Sequence, residues 1–441
     1  MKLTVEQFVG SLDERVNGIL DACTKCGACA TVCPTPRIAG LTESSEELGD
    51  GIVKILQGET VTGGSKTWAE LCCGSGFCQT VCEEGINPRF MLAMARRAIN
   101  SSEDLESRKI KGKKAFQKMS RGVRVLSRLQ LAPDILERLS PKSHPGDKNI
   151  PDVVFYTGCN MLKTPHIGLL CLDILERLDF TYEVHGGPST CCGILQFRPG
   201  DVEGSARQAL TSIEKLTKSK SSRILSWCPT CQIQFSEVAL PTYEEILSST
   251  FNMTMFPNFL LEHVEKLKPL LQGRVEKRAA VHEYSGELGV VEAVKTLLGA
   301  IPGLEVVDLG HQSAGYTGTA LAPMKDYLKN SIKDTLLAAE KLNVDVLVGI
   351  YHNDHREFSG HEAAWSFKVA NYMELLGESM GLNQPDIFKQ FKLMGDVDAI
   401  IEASSELISQ HDLDVETLRE VIIQDMLDDQ QLPVEKSQHP N

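Results

Sequence analysis

The sequence has no run of eighteen apolar residues, and its mean hydropathy is only -0.13. Its first residues, MKLTVEQFVG, lack the basic start and apolar stretch of a signal peptide. A formal net charge of -14 gives nucleic acid no general attraction. These absences predict a soluble cytoplasmic protein with neither a membrane-spanning helix nor a nucleic acid partner.

Cysteine is absent from the whole chain after residue 231, although the 441 residues include 14 cysteines. In a long chain without a secretion signal, clustered cysteines are more typical of metal ligands and redox thiols than of disulfides. The distribution therefore predicts local metal or redox sites in the first half of the chain.

Short apolar runs alternate with helical patterns beyond residue 150, and the series occurs twice. Strands are predicted at 153–156, 182–185, 223–227, 279–282, 304–309 and 344–350. This rhythm is typical of parallel sheets with helical crossovers. The sequence predicts a mixed fold, in which an N-terminal α-helical ferredoxin-like domain precedes two duplicated α/β lobes and a helical tail.

The predicted domain boundaries follow shifts in composition. The domains are a helical domain with two cluster motifs (1–105), a basic connector (106–150), a first lobe (151–250), a helical spacer (251–277), a second lobe without cysteines (278–375) and a helical acidic tail (376–441). Lys and Arg crowd residues 108–128, without any acid. This segment is predicted to be an amphipathic helix for an anionic membrane or an acidic partner, or else a solvated linker helix.

Four early cysteines have the spacing C-x2-C-x2-C-x3-C-P. They are Cys23, Cys26, Cys29 and Cys33. In ferredoxins with this spacing, three thiolates bind one iron-sulfur cube and the fourth binds a neighbouring cube. A structural zinc site closes with four ligands and has no need of the C-P arm. The motif predicts a cubane 4Fe-4S cluster beside a second cluster.

A second run keeps three of these positions, at Cys72, Cys78 and Cys82. The position expected to hold the remaining cysteine is Ser75. The second cluster is therefore predicted to be 3Fe-4S, with Cys33 as a ligand, or 4Fe-4S completed by Cys73 or Ser75; loss of this cluster is the other alternative. The two motifs resemble the helical ferredoxin module of heterodisulfide reductase subunits and of the iron-sulfur subunits of succinate dehydrogenases.

Five further cysteines follow the three predicted strands of the first lobe. They are Cys159, Cys191, Cys192, Cys228 and Cys231. Ligands at the carboxyl ends of neighbouring strands converge on one crevice, and five thiols exceed the four that tetrahedral zinc needs. The pattern C-x31-C-C-G-x34-C-P-x-C resembles the CCG-domain family, whose best-known member is the catalytic subunit of heterodisulfide reductase.

That resemblance implies that the five cysteines bind a non-cubane 4Fe-4S cluster, which in the family passes electrons to a disulfide or attacks it. An ordinary cubane cluster and a structural zinc ion are the alternatives within the family. Cys171 lies in an apolar helical run and is predicted to be a buried core thiol.

The second lobe has lost every thiol at the aligned positions. The residues found there are Ser285, Ser313, Ala314, Tyr351 and Asp354. No second non-cubane cluster is expected. Four histidines lie beside the same strand ends, at His282, His311, His352 and His355. We predict proton delivery by His352 and His355 rather than metal binding, and histidines that only form hydrogen bonds are the alternative.

Together these features predict an iron-sulfur electron-transfer and catalytic subunit of a heterodisulfide reductase-like oxidoreductase, acting on a disulfide or related sulfur substrate. Since no nucleotide-binding fingerprint follows a strand, a flavoprotein or another redox subunit is an expected partner, with a sulfur-carrier protein as a further candidate. The alternative resembles the iron-sulfur subunit of a flavin-dependent glycolate or glycerol-3-phosphate dehydrogenase that passes electrons to quinone. Membrane association is expected only through partners or peripheral contact.

Overall fold

The computed structural model describes residues 3–142, 149–248 and 250–439. These residues form a mixed fold of helices and parallel β-sheets, in agreement with the predicted fold class. Across the described ranges, no helix combines the length and the apolar character needed to cross a membrane.

Residues 3–142 contain helices and turns but no strand, as predicted. The helices are α1 (Val5–Ala22), α2 (Ala28–Thr31), α3 (Pro34–Ile38), α4 (Ser45–Leu56), α5 (Gly64–Leu71), α6 (Pro88–Asn100), α7 (Leu105–Arg128) and α8 (Pro133–Leu139). Thr4 and Ser44 begin α1 and α4 with capping boxes, in which Gln7 and Glu47 return the hydrogen bond. Such reciprocal bonds satisfy two backbone N–H groups that a helix start leaves free. The cysteine motifs occupy the turns between these helices.

The first sheet is parallel and has the strand order β2-β1-β3-β4. Its strands are β1 (Val153–Gly158), β2 (Tyr182–Gly186), β3 (Arg223–Ser226) and β4 (Asn252–Met255), and its helices are α9 (Pro165–Arg177), α10 (Ile194–Phe197), α11 (Val202–Lys218), α12 (Pro229–Ile233), α13 (Leu240–Leu247), α14 (Phe256–Glu262) and α15 (Val264–Leu267). The three strands predicted here are confirmed. Every residue of the central strand β1 is buried, because helices cover both faces of the sheet.

Strand β4 corrects one prediction. Residues 251–277 were predicted to be a helical spacer, but β4 pairs with β3 as the edge of the first sheet. Asn252 is exposed whereas Met253 and Met255 are buried, which is the two-residue alternation of a strand with one covered face. Four residues are too few for this alternation to stand out from the helical patterns on either side.

The second sheet has the order β10-β9-β5-β7, and strands β6 and β8 form a separate parallel pair. The strands are β5 (Arg278–Val281), β6 (Glu283–Tyr284), β7 (Glu305–Val307), β8 (Gln312–Ser313), β9 (Val346–Gly349) and β10 (Lys368–Asn371); the helices are α16 (Val290–Gly299), α17 (Gly318–Leu321), α18 (Lys325–Lys341), α19 (His352–Phe358) and α20 (Tyr372–Met380). If β5, β7, β9 and β10 are numbered 1 to 4 along the chain, this sheet has the order 2-1-3-4 reversed end to end, which is the order of the first sheet.

The C-terminal helices pack against the basic helix α7. They are α21 (Ile387–Met394), α22 (Val397–Ala403), α23 (Ser405–Gln410) and α24 (Val415–Ile422). Leu126 of α7 shares a buried apolar cluster with Leu418 and other tail residues. Arg121 pairs with Glu420 at 2.8 Å. The chain's own acidic tail therefore covers part of α7, while the membrane, partner and linker interpretations of this helix remain predictions.

Candidate functional site

The five cysteines of the first lobe meet at the carboxyl ends of β1, β2 and β3. Cys159 follows β1, Cys191 and Cys192 follow β2, and Cys228 and Cys231 flank the start of α12 beyond β3. Hydrogen bonds join their thiol groups. One links Cys159 to Cys191, and Cys231 forms two, with Cys192 and with Cys228. All five are free of disulfides. We call this set the five-thiol group.

Gly158 allows the backbone to approach the five-thiol group closely. Its φ is +69°, and a Cβ there would lie 3.1 Å from the Cβ of Cys228 and 3.5 Å from the Sγ of Cys231. Tyr156 lies behind the thiols, with its hydroxyl 3.8 Å from the Sγ of Cys231. That hydroxyl donates a hydrogen bond to the carbonyl of Thr190 at 2.6 Å. Only glycine fits at the strand end without occupying the space of the thiols.

The electrostatics of the five-thiol group favour a positively charged occupant. Hydrogen bonds among the thiols, together with burial, raise the pKa of Cys159 and of Cys231, while the hydrogen bond from Cys159 lowers the pKa of Cys191. Buried thiols cannot all ionise side by side unless positive charge compensates them. A metal group supplies that charge and turns thiols into thiolate ligands, so this donor set fits an iron-sulfur cluster.

A second set of thiols surrounds a cavity of about 270 Å³ in the helical N-terminal part. The cysteines on its wall are Cys23, Cys26, Cys29 and Cys82. The first three come from the first motif and the last comes from the second motif. This is the exchange of one cysteine between two sites that the C-P spacing predicts. Burial, with smaller contributions from Cys23 and Cys26, raises the pKa of Cys29 to about 12.

The third set of thiols contains the extra cysteine of the second motif. Its members are Cys33, Cys72, Cys73 and Cys78, which influence one another's ionisation. Burial, and then the neighbouring Cys33 and Cys73, raises the pKa of Cys72 to about 12. The indole N–H of Trp68 donates to the Sγ of Cys33 at 3.3 Å. Cys73, one of the two candidate ligands that the sequence offered here, therefore lies close to Cys33 and Cys72.

Ser75, in the same loop, contacts the second lobe through its backbone. Its backbone carbonyl accepts a hydrogen bond from the N–H of Glu287 at 3.0 Å. The neighbouring Gly74 and Gly76 lie against Tyr316 and Glu287 respectively. The loop between Cys73 and Cys78 is therefore attached to residues that follow β6 and β8, a contact that the sequence did not predict.

A buried ion-pair network holds this loop against the helix that follows Cys231. Arg89 of α6 donates to the carbonyl of Gly74 at 2.9 Å and to Glu237 at 2.9 Å, and it also pairs with Glu287 at 2.6 Å. Burial by itself lowers the pKa of Arg89, but the charges of the two carboxylates outweigh it and the pKa lies above its ordinary value. Gln79 donates to Glu237 at 2.7 Å. Arg89 thus joins three separate parts of the chain.

A cavity of about 450 Å³ lies between the helical part and the first sheet. Its wall includes Cys72, Gly74, Arg96, Arg198, Thr230 and Tyr316. The Tyr316 hydroxyl is 3.4 Å from the hydroxyl of Thr230, which lies between Cys228 and Cys231. The cavity is thus next to the third set of thiols and to the five-thiol group, and its volume is that of a small-molecule site.

Hydrogen bonds link the residues at the corresponding strand ends of the second sheet, beside a cavity of about 290 Å³. The hydroxyl of Tyr284 donates to Asp354 at 2.6 Å, and the N–H of Ser285 donates to the carbonyl of Ser313 at 2.9 Å. Asp354 is fully buried, and burial raises its pKa to about 6. A Cβ on Gly315 would lie 2.6 Å from the backbone oxygen of Cys73. The loop that replaces a CCG motif here packs directly against the third set of thiols.

The four histidines of the second lobe do not form one group, although burial and then the nearby His311 lower the pKa of His282. Three of them bond to separate partners, His282 to Thr335 at 3.1 Å, His311 to Ser331 at 3.0 Å and His355 to Asp386 at 2.7 Å. Burial lowers the pKa of His352 well below its ordinary value. Proton delivery by His352 and His355 remains a prediction. Cys171 is fully buried in α9, as predicted.

Comparison with known proteins bears directly on the five-thiol group. Residues 153–236 match the cysteine-rich CCG domain family, and this range includes all five cysteines. Residues 153–236 therefore carry a CCG domain, and the chain is similar to heterodisulfide reductase subunits. It is 24% identical over 405 residues to a dihydromethanophenazine:CoB--CoM heterodisulfide reductase subunit from Methanosarcina mazei, covering 82% of this chain and 94% of that protein.

The chain is also similar to two proteins that are not heterodisulfide reductase subunits. A fumarate reductase (CoM/CoB) subunit from Methanothermobacter marburgensis is 25% identical over 81% of this chain and 72% of its own length. The lactate utilization protein A of Anoxybacillus flavithermus is 26% identical over 42% of this chain and 80% of its own length. No solved structure matches the chain. The CCG domain and these relatives support iron-sulfur clusters and a redox role in general.

Proposed function

We propose that this CCG-domain protein is an iron-sulfur electron-transfer and catalytic subunit of a heterodisulfide reductase-like complex, and that it acts on a disulfide or a related sulfur substrate. The observation that carries the proposal is the cavity of about 450 Å³, which the third set of thiols and the Cys228–Cys231 turn border together. A substrate there would lie beside Thr230, between Cys228 and Cys231 of the five-thiol group. The similarity to the heterodisulfide reductase subunit of Methanosarcina mazei along most of the chain supports the same function.

The proposal assigns three clusters to the three sets of thiols. Cys23, Cys26, Cys29 and Cys82 hold a cubane 4Fe-4S cluster, Cys33, Cys72, Cys73 and Cys78 hold a second 4Fe-4S cluster, and the five-thiol group holds a non-cubane 4Fe-4S cluster. When bound, iron-sulfur clusters accept and donate single electrons. The second sheet, whose crevice holds no cysteine, has no equivalent ligand set. A flavoprotein or another redox subunit is the proposed source of electrons.

The residues of the cavity suit an anionic substrate. Arg96 and Arg198 face it, and burial, followed by the neighbouring charge of Arg198, lowers the pKa of Arg96. Neither arginine has a carboxylate within ion-pair distance among the described residues. An anionic group of the substrate would supply the missing partner for both guanidinium groups. The hydroxyl groups of Thr230 and Tyr316 are O–H donors on the same wall.

We expect the Arg96→Gln variant to raise the KM for an anionic disulfide by roughly tenfold or more, because a hydrogen bond to a charged group is worth about 1.5–3 kcal/mol. Steady-state kinetics with the intact complex would measure it. Arg207→Gln is the matched control, since Arg207 is an exposed residue of α11 that pairs with Glu203 on the same helix. Equal KM values for the two variants would contradict substrate binding by Arg96.

We expect Cys73→Ala to remove one ligand of the second cluster, whereas Ser75→Ala leaves it intact. With Cys33, Cys72 and Cys78 as the remaining thiols, the variant should lose iron and show the EPR signal of a three-iron cluster when oxidised. Iron and acid-labile sulfide analysis would accompany the spectra. The opposite pattern, an effect of the serine substitution alone, would assign the ligand to Ser75.

The second candidate function is an iron-sulfur subunit of a flavin-dependent dehydrogenase of the glycolate or glycerol-3-phosphate type that passes electrons to quinone. The similarity to lactate utilization protein A favours it over part of the chain. One experiment separates the candidates. The chain is reduced anaerobically, its EPR signals are recorded during a redox titration, and a disulfide or a quinone is then added. Reoxidation by the disulfide supports the first function, reoxidation by quinone alone supports the second, and no reversible signal contradicts both.

A further inference from the structure

Four polar side chains meet in the interior, away from the cysteines. They are His166 of α9, His355 of α19, Glu374 of α20 and Asp386, which precedes α21. The side chains of His166 and His355 are 3% and 0% exposed, and those of Asp386 and Glu374 are 8% and 20% exposed. Two imidazoles and two carboxylates are thus enclosed together, where polar groups are costly unless each finds a partner.

The distances within this four-residue cluster are short. One donor atom from each residue lies within 4.8 Å of the other three. The contacts are Nε2 of His355 to Asp386 at 2.7 Å, Nδ1 of His166 to Asp386 at 3.5 Å, Nδ1 of His355 to Glu374 at 3.7 Å, and Nε2 of His166 to Glu374 at 3.8 Å. The two imidazole rings are 5.1 Å apart between centroids.

His166 has no hydrogen-bond partner at either ring nitrogen among the described residues, although both nitrogens are buried. Nδ1 of His355 is also without a partner there. Buried polar atoms in native proteins are nearly always hydrogen-bonded, so three such atoms around one point need an explanation. The nearest acceptors of His166 are the carboxylates of Asp386 at 3.5 Å and Glu374 at 3.8 Å. Both lie beyond ordinary hydrogen-bond distance.

We propose that His166, His355, Glu374 and Asp386 bind a divalent transition-metal ion of the zinc type. Zinc takes four ligands in a tetrahedron, at about 2.0–2.1 Å from nitrogen and 2.0–2.2 Å from oxygen, which places neighbouring ligand atoms roughly 3.4 Å apart. One nitrogen of each imidazole and one oxygen of each carboxylate lie within 4.8 Å of one another, so small side-chain movements would bring these four atoms to that spacing. Two imidazoles with two carboxylates are also a donor set that divalent transition metals accept.

The charges around the cluster are consistent with a dication. Two carboxylates balance a charge of +2 when both histidines are neutral. Lys389 is the cation beside the cluster, 3.9 Å from Asp386, and it pairs with Glu362 at 3.5 Å. The carboxylate of Glu362 thus offsets the charge of Lys389, so the cluster keeps its affinity for a metal.

Backbone hydrogen bonds hold both carboxylates in place. Glu374 accepts from the N–H of Asn371 at 2.6 Å, and Asp386 accepts from the N–H of Lys389 at 3.0 Å. These caps occupy only part of the acceptor capacity of each carboxylate, which has about four lone-pair sites. Hydrogen bonds of this kind to the ligands orient them toward a metal. The bound ion would join α9 of the first sheet to α19 and α20 of the second sheet.

The test uses the full chain with its clusters intact. The protein is incubated anaerobically with two equivalents of zinc(II), excess metal is removed by gel filtration, and the retained zinc is counted by elemental analysis. We expect about one retained zinc per chain, with an X-ray absorption spectrum of nitrogen and oxygen ligands and no sulfur shell near 2.3 Å. The sulfur shell separates this site from zinc misplaced in a cysteine site.

His166→Ala and Glu374→Gln are both expected to lose the retained zinc, and the second keeps the shape of the side chain if the first fails to fold. His361→Ala is the matched control, because His361 is also buried with both ring nitrogens unpartnered among the described residues but lies outside the cluster. No zinc retained by the wild type, a sulfur shell, or unchanged zinc in both cluster variants would each overturn the proposal.

Discussion

The Cys192→Ser variant is expected to lose the cluster of the five-thiol group and its reductase activity, while the clusters of the helical part remain. Cys192 is 1% exposed and its side chain bonds to both Cys191 and Cys231, so it lies at the middle of the set. Serine leaves a hydroxyl in a place built for a thiolate. The iron content should fall by about four atoms per chain, the number in one 4Fe-4S cluster.

Cys171→Ser is the matched control for this loss. Cys171 is equally buried and lies in α9 beside the same sheet, but no thiol of the five-thiol group contacts it. Anaerobic iron and sulfide analysis, with EPR of the reduced and oxidised protein, would compare the two variants. If Cys192→Ser kept its iron and its signals, or if Cys171→Ser lost as much, the assignment of a cluster to the five-thiol group would be contradicted.

Local features of the sequence were enough to predict several elements of the fold. Strand β1 is a short apolar run between turn signals, and burial of all its residues leaves it few polar side chains. The meeting of the five cysteines followed from the rule that ligands gather at the carboxyl ends of parallel strands. The presence of Cys82 beside Cys23, Cys26 and Cys29, in the second set of thiols, agrees with the exchange of one cysteine that the motif spacing predicts, which is also a local property.

Long-range contacts are what the sequence could not predict. Strands β4 and β10 have four residues each, and only pairing with a neighbour distinguishes them from adjacent helical segments. The position of the loop that carries Cys73 and Ser75 depends on Glu287, more than two hundred positions later in the chain. His166 and Glu374 likewise meet because α9 packs against α20, and no spacing rule relates them.

Arg89→Met is expected to destabilise the folded chain by about 3–5 kcal/mol, the range for removing one partner of a buried ion pair. The substitution leaves Glu237 and Glu287 close together, buried and without their cation. It also removes the hydrogen bond to Gly74, in the loop between Cys73 and Cys78. Methionine has about the length of the arginine stem, so the loss reflects charge and hydrogen bonding more than an empty volume.

Arg97→Met on the same helix is the control, since Arg97 pairs at 2.7 Å with an Asp13 that is largely exposed. An exposed pair of this kind is worth about 0–1 kcal/mol. Denaturant-induced loss of helical circular dichroism, recorded anaerobically, would compare the midpoints of the two variants with the wild type. Arg89→Met should also release iron from the third set of thiols first, because Gly74, in the loop between Cys73 and Cys78, loses its hydrogen bond from Arg89. Similar midpoints for both variants would show that Arg89 does not hold these three parts of the chain together.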